Sequence, residues 1–154
     1  MWGSMKTNAE ATLYNKTINP STRAEEFQRT VLTAVYWENR RAVNKIASGG
    51  DIKADKAMVM IPQSEGANYL DPVAWQKLAD KTGKWTLQAG DVIVRGAVTD
   101  EITDEVIDEL TEEVTPAFTV SDLKRKYDDV LSITTVDWMD AGSEKVNHWE
   151  IGAV

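Results

Sequence analysis

The sequence predicts a mainly β domain, a small antiparallel β-barrel or sandwich with two or three short helical insertions. Three observations carry this. β-branched and aromatic residues gather in short runs, among them Ala-Met-Val-Met-Ile at 57–61 and Val-Ile-Val at 92–94, a composition that suits pleated backbone. Turn signals separate the runs: Gly49-Gly50-Asp51, Gly90-Asp91 and Asp140-Ala141-Gly142-Ser143. The order strand, strand, helix, hairpin, helix, hairpin contains no regular βαβ unit, which favours antiparallel pairing.

Residues 1–28 are polar and weakly patterned, with a turn at Asn19-Pro20-Ser21. They read as an arm or edge segment preceding a single barrel domain over 29–154. Residues 29–43 read as a long strand, bulged because Val31, Val35, Tyr36, Trp37 and Val43 fall on both alternation sets. Residues 44–55 read as a long flexible loop, and 57–61 as an apolar strand closed by Pro62. Asp71-Pro72 signals a helix start, with Val73, Trp75, Leu78 and Ala79 following and Gly83 ending it. Residues 84–96 read as a hairpin about Gly90-Asp91.

Residues 97–128 read as an acidic helical insert. Between Asp100 and Glu113 stand eight acids and no base, equal to the whole net charge of −8. Ile102, Val106, Ile107, Leu110 and Val114 fall between the acids at a spacing that gives one apolar stripe on a helix. Pro116 stops that helix. Thr119 and Asp122 form a capping-box pattern for a second helix through Tyr127. Residues 130–138 alternate as a strand, and 146–151 form the last one.

Composition narrows the function classes. The chain has 154 residues, 42% hydrophobic and 27% charged, enough for one domain with a sizeable core. With no cysteine, a disulfide scaffold, a thiolate zinc site and a cysteine nucleophile are excluded. No apolar run approaches membrane-spanning length and the start lacks the apolar core of a signal peptide, so a soluble protein made in a cytoplasm is expected. A sequence-wide basic footprint for nucleic acid is missing.

No reaction centre emerges. His148 is the only histidine, and no Gly-x-Ser-x-Gly turn accompanies it. Glycosidase carboxylates face one another across a cleft, whereas these acids lie along one segment. A calcium loop needs a central Gly, which residues 100–113 lack. Lys124-Arg125-Lys126, the sole basic run, reads as pairing with neighbouring acids. Ser48-Gly49-Gly50-Asp51 lacks the ending of a phosphate loop. No catalytic residue, metal site or cofactor is assigned. Trp37, Trp85, Trp138 and Trp149 read as core, with one or two available for an interface.

Several segments, taken in order, resemble a family of small proteins encoded in the head-assembly region of tailed phages and prophages. The matching pieces are Thr12-Leu13-Tyr14-Asn15-Lys16, Arg29-Thr30-Val31, Tyr36-Trp37, residues 55–62, Tyr69-Leu70-Asp71-Pro72, residues 85–96 and His148-Trp149-Glu150-Ile151-Gly152. The Trp-Thr-Leu-Gln-x-Gly-Asp and His-Trp pieces are the most specific. The resemblance implies a non-enzymatic head-completion, or head-closure (stopper), protein of the virion neck. It implies a β-barrel subunit in a homo-oligomeric ring, a dodecamer in the virion, assembled in the bacterial host cytoplasm. The implied partners are the portal or adaptor ring and tail-completion or tail-tube proteins, with packaged DNA passing through without sequence-specific binding and no membrane involved.

In such rings the loop between two early strands projects toward the DNA channel. Here that place holds Lys45, Ile46, Ser48, Gly49, Gly50, Asp51 and Lys53. The acidic insert departs from the family pattern, and its face of Asp104, Glu105, Asp108, Glu109 and Glu112 reads as a docking helix. Asp137-Trp138-Met139-Asp140 departs too, standing where a more basic turn is expected. The rival readings are a tail-completion or tail-terminator protein and, more remotely, a small enzyme using Asp and Glu.

Overall fold

A computed structural model describes residues 5–40, 43–45, 51–53 and 55–154. In chain order its elements are β1 (Ala9–Ile18), β2 (Glu25–Asn39), β3 (Val43–Lys45), β4 (Asp51–Lys53), β5 (Ala57–Pro62) and a 3-10 turn (Gln63–Asn68). There follow α1 (Pro72–Gln76), β6 (Val92–Arg95), β7 (Val106–Ile107), β8 (Val114–Thr115), α2 (Val120–Lys126), β9 (Val130–Met139) and β10 (His148–Ala153). Six strands close an antiparallel barrel in the order β1-β2-β5-β10-β9-β6. The mainly β fold, with a closed barrel and short helices, is as the sequence predicts. Two small hairpins, β3-β4 and β7-β8, stand apart from it.

Alternation fills the barrel from every side. Leu13, Leu32, Val35, Val59, Ile61, Ile93, Ile133 and Ile151 are buried together in its interior. The β2 bulge is real: Ala9 pairs with Val35 but Ala11 with Leu32, so three residues of β2 span two of β1. Gly152 marks a close approach. A Cβ there would lie 2.7 Å from Thr135 Oγ1 and would crowd the Asp55 carboxylate as well.

A second apolar layer coats one wall. Tyr14, Val92, Val94 and Val130 point outward from β1, β6 and β9 and are covered by Val98 and Leu123, with Ile102, Phe118, Val120 and Tyr127 alongside. This is why β6 reads as an unbroken β-branched run: Val92, Ile93 and Val94 are all buried, Ile93 inward and its neighbours outward. Residues 98–102 and 118–127 are therefore the outer skin of that wall.

Four expectations are corrected. The 1–28 segment is no arm. Its residues 9–18 form β1, paired along β2 and with β6, and Ala11 to Asn15 are all buried. Its polar look arises because Thr12 and Asn15 are buried with their hydrogen bonds satisfied: Thr12 Oγ1 donates to Gly96 O at 2.7 Å and accepts from Val98 N–H at 2.8 Å.

Residues 84–89 do not form the first strand of a hairpin. Trp85 makes only an isolated bridge to Tyr69, and the Asn15 side chain takes both backbone groups of Thr86. The helix begun at Pro72 ends at Gln76, so Val73 is exposed while Trp75 is buried. The α2 capping box is present in full between Thr119 and Asp122.

The acidic segment is a β-hairpin, not a helix. Val106 pairs with Thr115 and Ile107 with Val114, and Thr103 bridges Phe118 below them. Like charges at i,i+4 with no base between them oppose a helix, and the β-branched residues suit strands. Asp108 fixes the turn: its Oδ1 accepts from Leu110 N–H at 2.9 Å and Thr111 N–H at 3.4 Å. Glu112 completes it with a positive φ of 59°.

Candidate functional site

Two arms, a polar knot and an aromatic mouth are the features that could carry function. The first arm, β3-β4, grows from between β2 and β5, which pair directly as Asn39↔Ala57. Of the residues assigned to the channel loop, Lys45 lies in β3 and Asp51 and Lys53 in β4. Thus 43–45 and 51–53 are strand rather than open loop. Ile46, Ser48, Gly49 and Gly50 lie outside the described residues.

The second arm is the acidic hairpin. Asp104, Glu105, Asp108, Glu109 and Glu112 are all exposed on it, so the structure brings them together on a hairpin instead of a helix face. Its apolar residues are exposed as well: Val106 at 58%, Ile107 at 61% and Leu110 at the tip at 95%. None of the three is buried by another described residue.

The hairpin nonetheless stands on a firm base. Tyr14 Oη donates to Asp100 O at 2.7 Å, Tyr127 Oη to Asp100 Oδ2 at 2.6 Å, and Lys126 Nζ to the same oxygen at 2.9 Å. The Tyr127 hydroxyl, with Lys126 beside it, holds the Asp100 carboxyl below the usual carboxylate range. Burial pushes the Tyr14 hydroxyl far above its usual value. Arg29 Nε donates to Glu101 at 2.8 Å and its Nη1 to Val98 O at 3.0 Å. Of the basic run, Arg125 pairs with Asp122 and Lys126 with Asp100, as the sequence suggests. A groove of about 540 Å³ runs between hairpin and barrel, lined by Phe27, Ile102, Val106, Phe118 and Val120 with Glu25 and Glu26 at the rim.

This division of base and tip is testable. Replacing residues 104–115 by a short Gly-Ser linker should leave the urea midpoint nearly unchanged. Leu123→Ala, which opens the second layer, should cost about 2–5 kcal/mol. Comparable destabilisation by both changes would make the hairpin tip part of the core.

The polar knot is deeper. Asp91 is 2% exposed. Its Oδ2 accepts from Asn15 Nδ2 at 2.8 Å and Gln88 Nε2 at 2.9 Å, and its Oδ1 from Lys16 N–H at 3.1 Å. Asn15 also donates to Thr86 O at 2.8 Å and accepts from Thr86 N–H at 3.1 Å. Burial raises the Asp91 pKa above its ordinary 3.8, outweighing the three donors. These groups are consumed in joining the 84–91 crossing segment to β1. The Trp-Thr-Leu-Gln-x-Gly-Asp motif is thus a structural clasp, which explains why these residue types occur together.

The aromatic mouth closes the barrel at the start of β10. The Trp149 ring meets Tyr69 at 4.6 Å, Trp138 at 4.9 Å and Trp85 at 5.8 Å between centroids. Gly66 passes beneath it, where a Cβ would lie 2.6 Å from the ring. Trp37, Trp85 and Trp149 are core, Trp85 without belonging to a strand, while Trp138 is half exposed. His148 Nδ1 lies 2.8 Å from Val146 O and its Nε2 4.0 Å from a Glu150 oxygen, an arrangement that fixes the ring at the start of β10. Among the described residues, no helix is long and apolar enough to cross a membrane.

No curated protein and no solved structure matches the chain. A family described as "Family of unknown function (DUF6751)" matches residues 6–154, and the chain belongs to it.

Proposed function

We propose that this chain is a structural subunit of the head–tail connector of a tailed phage or prophage, a head-closure ring protein of the neck. It would join the portal or adaptor ring to the tail and retain packaged DNA. The observation that carries this reading is the closed six-stranded barrel with an arm rooted between β2 and β5. That is the place where the resemblance puts the channel-facing loop. The motif pieces of the resemblance support it from the sequence, and the clasp and the aromatic mouth make a rigid body on which an arm can be carried.

In this role the arm over 43–53 lines the channel and the acidic hairpin is an outward docking element. A net negative subunit suits a conduit, since a surface that bound DNA tightly would impede its passage. Association is by surfaces rather than chemistry, with neck proteins above and below as partners.

Deleting residues 48–51 in a phage that encodes this chain tests the reading. The variant should fold and enter particles, and filled heads should then lose DNA, measured as the ratio of packaged to released genome. Particles that hold DNA as well as wild type would remove the closure role. A chain absent from purified virions would remove the neck assignment itself.

A further inference from the structure

β9 outruns its neighbour. β6 pairs with it only as Val92↔Ser132, Ile93↔Leu131 and Val94↔Val130. The last link on that side is Ile133, whose N–H donates to Asp91 O at 2.8 Å and whose carbonyl accepts from Gly90 N–H at 2.7 Å. β9 then continues to Met139 with β10 as its one strand partner among the described residues.

The ladder fixes which backbone groups face the open side. Ser132 and Val154 exchange both hydrogen bonds, at 2.8 and 2.9 Å. In an antiparallel pair such exchanges recur at every second residue, so Gly152, Glu150 and His148 turn toward β9. The alternate set turns the other way: Ala153 O accepts from Lys56 N–H and Asn147 O from Gln63 N–H, both on the β5 side. The β9 residues opposite Gly152, Glu150 and His148 are Thr135, Asp137 and Met139, after a one-residue slip at Thr134. The N–H and C=O of Val136 and Trp138 therefore point out of the sheet.

Side chains around this edge define what fits it. Trp138 is 47% exposed, set edge-on against Trp149 at the barrel mouth, and Met139 is 41% exposed. Asp137 lies exposed between them and Asp140 just beyond. We propose that the Val136–Trp138 edge takes an extended segment of a partner protein as an added strand, with Lys or Arg opposite Asp137 and apolar residues beside Val136 and Trp138. A second copy of this chain fits poorly. The register that pairs Val136 with Trp138 of the copy, satisfying every open group, sets the two Asp137 carboxylates directly opposite each other.

Amide hydrogen exchange on the free protein is the first test. Val136 and Trp138 should exchange rapidly while Thr135, Asp137 and Met139 are protected. Equal protection along 135–139 would mean the edge is already covered and would overturn the proposal. The second test uses the blocked peptide Thr-Val-Lys-Val-Thr as probe. It should shift the amide resonances of residues 134–139, and N-methylation of its alternate amides should abolish the effect. Exchanging its Lys for Glu should weaken binding about fivefold. Val136→Pro removes one outward donor and leaves the β10 ladder whole, so this variant should fold normally and lose the peptide. Shifts elsewhere, none at millimolar peptide, or undiminished binding by V136P would each overturn the edge as the site.

Discussion

Replacing Trp149 with alanine should destabilise the fold by about 3–5 kcal/mol, read as a drop in the urea midpoint at constant slope. The indole joins three other aromatic rings and roofs Gly66, so truncation leaves a void bordered by rings that cannot collapse together. Domains of this size have roughly 5–15 kcal/mol in total, so the variant should be partly unfolded at physiological temperature. Trp138→Ala serves as the comparison. That side chain is half exposed, and its removal should cost much less. Similar losses for the two would mean that the half-exposed Trp138 holds the mouth as firmly as the buried Trp149.

Asn15→Leu should be the most damaging change of a polar residue, by about 3–5 kcal/mol. It orphans the N–H and C=O of Thr86 and removes one of three donors to a buried carboxylate. The loss should depend on pH in a defined direction. The folded pKa of Asp91 lies above its ordinary 3.8, so its protonated form contributes stability that is fully present below that value. The contribution fades as pH rises through the raised folded pKa. Asn15→Leu, by taking away a donor to the ionised form, should move that fading to higher pH and deepen the loss at neutrality. Urea melts from pH 4 upward would check this, and a deficit independent of pH would mean that the carboxylate is indifferent to its neighbours.

Much of the fold was legible where local chemistry is decisive. Pro72 at a helix start, the Thr119–Asp122 capping box, the apolar run at 57–62 and the alternation of 130–138 all lie where residue types suggest. Legibility failed where side chains do the work of backbone. Thr12 and Asn15 look like surface residues and are buried because each satisfies a distant main-chain group. Residues 84–89 look like a strand but bond to an asparagine side chain instead of a neighbouring ladder.

The acidic segment failed for a different reason. Ile102, Val106 and Leu110 fit a helical stripe, yet Ile102 alone of the three packs on the buried second layer, and the strand preference of Val106, Ile107, Val114 and Thr115 prevails. The site residues divide likewise. Between β2 and β5, Gly49 and Gly50 suggested an open loop, whereas 43–45 and 51–53 pair as strands. The open edge of β9 was hidden, since it depends on how far a distant strand, β6, extends.

The position of β10 between β5 and β9 has a consequence for how the chain folds. β1 and β2 can zip together early as a hairpin, but β5 and β9 do not pair with each other and are joined only when the final strand in sequence inserts between them. Closure likewise joins β1 to β6 across some eighty intervening residues. Such long-range pairings place the domain among slow folders, on the scale of milliseconds to seconds. During synthesis, β5 and β9 must wait with bare flanks for residues 148–153 to leave the ribosome. That interval is when aggregation would compete hardest with barrel closure.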